Sequence, residues 1–171
     1  LSGAYSVKEG TRIICDSAFS SCCCLSEIVI PSSVTSIGDC AFSSCCCLSE
    51  IVIPSSVTSI GKGAFSGCSS LKYISIPKSV ICLNGNPFAG WNGKLECLSP
   101  NFVYEDDVLF NKDKSRIISF RNQNIKSYVI PSSVTSIGKG AFSCCDSPSE
   151  IVIPSSVTSI GDWAFSFCSS L

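Results

Sequence analysis

The stretch Ile28-Val29-Ile30-Pro31-Ser32-Ser33-Val34-Thr35-Ser36-Ile37-Gly38 decides the reading of this chain, because it returns. The same run begins again at Ile51 and Ile151, and a near copy begins at Tyr128. Ile28 and Ile51 are 23 residues apart, as are Tyr128 and Ile151, and the phenylalanines at 19, 42, 65 and 88, then 142 and 165, keep the same spacing. Aligned, the copies read Leu-x-x-Ile-x-Ile-Pro-x-x-Val-x-x-Ile-Gly-x-x-Ala-Phe-x-x-Cys, with Leu25, Leu48, Leu71, Leu95, Ile125, Pro148 and Leu171 opening successive units. Self-similarity at a fixed period of this length is the mark of a repeat solenoid.

The chemistry of one unit says how it coils. Ile28 and Ile30 alternate as in a half-buried strand, and Pro31 ends that strand by withholding a ladder donor. Val34 and Ile37 suit a bend with a short extended piece. Phe42 and Cys45, three apart behind Gly38 and a possible Asp39 cap, suit a short helical turn. No unit buries enough apolar surface alone to offset the ordering of its backbone, so neighbouring coils must cover each other's inward faces and pair their strands in parallel. The expected fold is a right-handed superhelix with one parallel β-strand per 23-residue coil and short helical turns.

Residues 1–171 read as one domain: regular coils over 2–94, an irregular unit over 95–124, and regular coils over 125–171. Tyr5, Val7, Thr11, Ile14 and Phe19 make a degenerate first copy. In the irregular unit, Val108 to Phe110, then 111–114, then Ile117 to Phe120 read as strand, turn, strand, which predicts a projecting hairpin. Its acidic cluster Glu105, Asp106, Asp107 and Asp113 lacks the spacing of a calcium loop and reads as a solvated turn.

Composition narrows function. The net charge of -1 and the charged fraction of 15% leave no basic stripe for nucleic acid. Apolar runs are a few residues long, far short of the ~20 that span a bilayer, so no direct membrane insertion is expected. The absence of histidine removes Ser-His and Cys-His nucleophile pairs, and no Gly-rich phosphate loop follows a strand. No enzyme activity and no cofactor are expected. No targeting signal opens the chain at Leu1. Leu171 restarts the motif, so the chain reads as a fragment of something longer, with uncapped ends open to self-association.

The 14 cysteines are the unusual feature. Cys22, Cys45, Cys68, Cys145 and Cys168 each follow the repeat phenylalanine by three, which predicts a stacked inward column of small apolar thiols. Cys23, Cys24, Cys46 and Cys47 stand where other units carry Ser69, Ser70, Ser169 and Ser170. Two readings of these extra thiols compete. They are tolerated Cys-for-Ser exchanges, or Cys23 and Cys46, stacked on adjacent coils, form a disulfide or a metal site. The second makes the chain a thiol-rich metal-binding or redox-responsive structural protein, although Cys-Cys-Cys is not the paired spacing of structural zinc.

The unit from Leu25 to Cys45, with its equivalents opening at Leu48 and Leu71, resembles the BspA-like leucine-rich repeat of surface antigens from mucosal bacteria and protozoa. The resemblance covers nearly the whole chain. It implies a cell-surface or secreted protein that acts in adhesion, as a scaffold binding host matrix or cell-surface proteins, and it names no individual partner.

The outward strand positions are where such a scaffold would act. They form three rows: Ser26, Ser49, Lys72, Lys126 and Ser149; Glu27, Glu50, Tyr73, Ser127 and Glu150; Val29, Val52, Ser75, Val129 and Val152. The valines alone would be ordinary strand formers. Glu27 above Glu50, however, stacks like charges, which costs stability unless a cation or a basic partner neutralises them.

Overall fold

The computed structural model describes residues 2–171, Ser2 through its backbone alone. The chain divides into two compact units, Leu1–Pro100 and Asn101–Leu171. The first contains β1 (Ser2–Ser6), β2 (Ile13–Ile14), β3 (Cys24–Val29), β4 (Ser36–Ile37), β5 (Glu50–Ile51), β6 (Ser59–Gly61), β7 (Tyr73–Ile76), β8 (Cys82–Asn84) and β9 (Lys94–Cys97).

Each coil of this unit supplies two short strands, and every pairing is parallel. The first strands stack as β1-β3-β5 and as β7-β9, and the second strands stack as β2-β4-β6-β8. The register follows the repeat: Ile28 lies against Ile51, and Ile37 against Ile60. The prolines close the corner between the two strands, where the N–H of Val34, Val57 and Val80 donates to the carbonyl of Pro31, Pro54 and Pro77 at 3.0–3.1 Å. The extended piece expected at Val34 to Ile37 is therefore a second ladder.

The third side of the coil is not helical. Among the described residues no helix occurs. From Asp39 to Cys45 the backbone makes successive turns whose amides alternate in purpose. Ser43 N–H donates back to Cys40 O and Cys45 N–H to Phe42 O, while Cys40, Phe42 and Ser44 donate to Lys62, Ala64 and Ser66 in the next coil. A helix keeps all such bonds within itself; here every second donor serves the stack. Left-handed residues four apart accompany the pattern in the first three coils: Ser17 and Ser21, Cys40 and Ser44, Gly63 and Gly67, all with φ between 53 and 67°.

Leu25, Ile28, Ile30, Val34, Ile37, Phe42 and Cys45 are all buried, as are their equivalents in the next coil. The phenylalanine rings lie nearly face on: Phe19–Phe42 at 5.3 Å and 4°, Phe42–Phe65 at 5.7 Å and 5°, Phe65–Phe88 at 6.1 Å and 10°. The column ends on Trp91, whose indole tilts against Phe88 and donates to Leu71 O at 2.8 Å. Polar residues of the repeat also serve the stack. Ser33, Ser56 and Ser79 donate to the carbonyls of Thr11, Val34 and Val57, and Thr35 and Thr58 donate to Arg12 and Thr35.

Leu95 departs from expectation. It pairs with Ile74 and does not take the place of Leu71. The spacing contracts from 23 to 21 here, because the chain from Phe88 to Leu95 is two residues shorter than that from Phe65 to Ile74, and the buried Trp91 lies in this shortened stretch.

The second unit contains β10 (Phe102–Glu105), β11 (Val108–Asn111), β12 (Arg116–Phe120), β13 (Ser127–Val129), β14 (Ser136–Ile137), β15 (Glu150–Val152) and β16 (Ser159–Ile160). The expected hairpin is β11–β12, antiparallel, and β10 adds a third strand to it. The turn joining β10 to β11 places Asp106 and Asp107 at φ 48° and 59°, two successive left-handed residues as in a type I′ hairpin turn. β12 has a second role: Ile117 lies parallel against Ile137 in a β12-β14-β16 ladder, and the Phe120 ring stacks on Phe142 at 4.8 Å, with Phe165 beyond at 5.1 Å. The hairpin strand thus supplies this unit's first core phenylalanine. Pro148, standing for the opening leucine, is buried.

Candidate functional site

In the first unit the strand alternation turns Ser26, Glu27 and Val29, then Ser49, Glu50 and Val52, then Lys72 and Tyr73 outward, all exposed, with Ser75 half-buried. Glu27 lies directly beside Glu50. Among the described residues neither carboxylate has an ion-pair partner. Val29 and Val52 leave 53% and 69% of their surfaces in water, and Tyr73 leaves 42%, a high apolar share for one sheet face.

The ladder is interrupted where these residues converge. β5 and β7 are not paired, so the continuous row expected from Glu50 to Tyr73 is broken. A groove of about 500 Å³ opens over the gap, walled by Glu50, Val52, Lys72, Tyr73, Ser75 and Leu98. A smaller one of about 300 Å³ lies between the diverging ends of β3 and β5, beside Glu27, Val29, Glu50 and Val52. The groove thus sets an acid and a base at its rim around an apolar middle.

Tyr73 is held in place. Its hydroxyl donates to the Glu96 carboxylate, and Ser75 Oγ donates to the same oxygen at 3.2 Å. The bond to Glu96 raises the Tyr73 pKa, and the two hydroxyl donors lower that of Glu96. Glu96 and Leu98 were not among the expected site residues, because the expected register placed Leu95 opposite Leu71 and so moved its neighbours along the coil.

In the second unit, β13 and β15 place Ser127 beside Glu150 and Val129 beside Val152. Lys126 and Ser149 adjoin them through the Ser149 N–H bond to Lys126 O at 2.9 Å. Val129 and Val152 are 65% and 44% exposed. The site residues expected here therefore form their own patch.

A family model described as BspA type leucine rich repeat region matches the chain in six copies, over residues 4–104 and 116–171. The chain belongs to the BspA-type leucine-rich-repeat family. The interval between the two matched spans holds β11. Among solved structures, a leucine-rich repeat protein from Eubacterium ventriosum ATCC 27560 superposes with a TM-score of 0.75 at 29% identity over 95% of this chain and 50% of the other. The pneumococcal vaccine antigen PcpA gives 0.76 at 29% identity, with 94% and 42% covered. A leucine rich cell surface protein from Faecalibacterium prausnitzii A2-165 gives 0.69 at 25% identity, with 99% and 59% covered. The chain thus spans roughly half the length of these neighbours. No curated protein matches its sequence. No helix of the described residues is long and apolar enough to cross a membrane.

The cysteine column of the BspA-type coils is more than apolar filler. Cys45, Cys68 and Cys168 donate their thiols to the carbonyls of Phe19, Phe42 and Phe142 in the preceding coil at 3.0–3.1 Å. Cys45, Cys68 and Cys145 are buried, whereas Cys22 and Cys168 are half-exposed. Burial pushes the Cys45 thiol up to about 11 and the Cys68 and Cys145 thiols up to about 12, from an ordinary 9.0. These thiols ionise above pH 9 in the unfolded chain and stay protonated in the fold. The stability they contribute is complete below pH 9 and is lost as pH climbs toward 11 and 12. The urea midpoint is expected to fall between about pH 8 and about pH 10.5, and to fall less in Cys68→Ala; an equal fall in that variant would assign the effect to other groups.

The carboxylates of the hairpin are engaged internally. Glu105 pairs with Lys114 at 2.6 Å, Asp107 accepts the Tyr104 hydroxyl at 2.8 Å, and Asp113 accepts the Ser115 amide and hydroxyl at 3.0 and 2.7 Å. The Ser115 donors hold the Asp113 carboxyl below its usual range. Among the described residues no three histidine, cysteine or acidic side chains are grouped to hold a metal ion.

Proposed function

We propose that this chain is a non-catalytic, surface-displayed scaffold that binds a partner protein through the strand face of its first unit. The observation that carries the reading is the groove over the β5/β7 gap, where exposed Val52, the fixed Tyr73 ring and the charges of Glu50 and Lys72 meet. Aromatic and aliphatic side chains inside a polar rim are what protein interfaces use for affinity, and the unpaired Glu27–Glu50 stack favours a partner that brings a basic residue. The surface-protein neighbours support display at a cell surface, and adhesion to extracellular-matrix or cell-surface proteins is the role that fits such display.

The test is surface-plasmon-resonance binding of the chain to a panel of immobilised extracellular-matrix and epithelial-surface proteins. For whichever protein binds, Glu27→Ser, Glu50→Ser and Tyr73→Ser together are expected to weaken affinity at least about tenfold, since losing one desolvated anchor costs ~1.4 kcal/mol or more. A control carrying Lys139→Ser and Asp162→Ser should bind as the natural chain does. Unchanged binding by the triple variant would sink the assignment to this face.

A further inference from the structure

The face beside this groove carries a pair of thiols that neither the stack nor the proposed partner surface accounts for. Cys23 and Cys46 occupy the same place in adjacent coils, both exposed. Cys46 Sγ donates to Cys23 Sγ at 3.5 Å, and both sulfurs lean over one carbonyl, Ser44 O, at 3.3 Å for Cys46 and 3.5 Å for Cys23. Their neighbours are differently disposed. Cys45 is buried with its thiol given to Phe19 O, and among the described residues Cys24 and Cys47 are exposed without a hydrogen bond like the one between Cys46 and Cys23.

From this convergence we infer that Cys23 and Cys46 form a redox-responsive disulfide that staples the first coil to the second. Coils stacked at about 4.8 Å fall within the Cα separation of about 4.4–6.8 Å that a disulfide spans. The sulfurs need to close from 3.5 Å to about 2.05 Å, a distance of the order that side-chain rotation covers. The second unit gives independent evidence that this column brings side chains into contact. At the equivalent positions Ser169 Oγ donates to Asp146 Oδ1 at 2.7 Å. In the third coil the column ends at Ser69, so the pair has no competing thiol above it.

The oxidant is a small-molecule disulfide such as oxidised glutathione. One protein thiol gives its proton to water, and its thiolate attacks a sulfur of the oxidant. The oxidant's S–S bond breaks, one glutathione thiolate leaves, and a mixed disulfide remains. The second protein thiol, deprotonated in turn, attacks the protein sulfur of that mixed disulfide and releases the second glutathione. Two electrons pass from the protein sulfurs to the oxidant: two protein thiols become one disulfide, and one glutathione disulfide becomes two thiols. The staple closes directly before β3 and fixes coil register beside the groove walled by Glu27 and Glu50.

The natively purified chain is incubated with oxidised glutathione, free thiols are alkylated, and the product is digested with a glutamyl endopeptidase and analysed by mass spectrometry without reduction. Cleavage after Glu9, Glu27 and Glu50 puts the two cysteines in peptides 10–27 and 28–50. A linked pair of these peptides is expected, lost in Cys23→Ser and in Cys46→Ser but retained in Cys24→Ser and Cys47→Ser. The native serine at position 69 shows that the column accepts that side chain, so these variants fold. A link that persists without Cys23, a link within peptide 28–50 alone, or glutathione captured on both thiols with no link would each overturn the inference.

Discussion

Gly61→Ala is expected to lower the stability of the coils around it by about 4 kcal/mol, a large share of the ~5–15 kcal/mol that holds an ordinary domain folded. A Cβ built there falls 2.4 Å from both the Asp39 amide nitrogen and the Gly38 carbonyl carbon. Those atoms are backbone of the preceding coil, itself held by its own ladder, so no side chain can turn aside to make room. The glycine of the repeat is therefore the point of closest approach between coils, and Gly161 repeats the arrangement with the Lys139 amide at 2.6 Å. Gly67→Ala separates this cause from simple loss of backbone freedom. Gly67 stands at φ 67° but a Cβ there meets nothing nearer than 3.6 Å, so only the left-handed conformation is penalised, at about 1–2 kcal/mol. Urea unfolding of the two variants checks the ratio; equal losses would mean that coil spacing relaxes to admit a methyl group.

The side of the coil on which Gly61 lies was the least legible in the sequence. The repeat itself was plain, since identical residues at a constant offset can bury their apolar faces together only by stacking in register, and the ladder of first strands and the phenylalanine column follow, whereas the second ladder at Val34 to Ile37 read only as a short extended piece. The turn side was misread because Phe42 and Cys45 sit three apart, a spacing that a helical turn and two consecutive β-turns satisfy equally well. What separates them is where the intervening amides donate, and a side-chain pattern does not carry that. A faint signal existed: Gly63, Gly67 and Gly140 occupy positions that are left-handed in most coils, but Ser, Cys, Trp163 and Phe167 fill the same positions elsewhere and conceal it. The site was legible to the same degree. Glu27, Glu50, Val29 and Val52 face outward as the alternation requires, whereas the gap between β5 and β7 falls within a stretch of regular 23-residue spacing and leaves no mark in the pattern. The part played by Glu96 depends on the register of β9, where Leu95 lies against Ile74 at an offset of 21, and a period read from the other coils does not reveal it.

The other large effect is expected from Phe65→Ala, and how it spreads tests whether the stack behaves as a chain of neighbours. Phe65 is fully buried, with Phe42 on one side at 5.7 Å and Phe88 on the other at 6.1 Å. Truncating a side chain of this kind costs about 3–5 kcal/mol through lost transfer energy and the cavity left behind. The volume of the lost ring cannot be recovered by collapse, because the coils above and below are spaced by backbone hydrogen bonds rather than by the ring. In a solenoid each coil contacts only its neighbours, so the loss should be felt most where the missing ring was touched. Amide hydrogen exchange is therefore expected to speed up most in β4, β6 and β8 and least in β2, whose phenylalanine partner Phe19 touches Phe42 but not Phe65. Phe19→Ala, at a half-buried position, should cost less and confine its effect to the first two coils. Equal loss of protection throughout Leu1–Pro100 would mean that the stack opens as one cooperative body, with strand pairing rather than the ring column setting how far a local defect is transmitted.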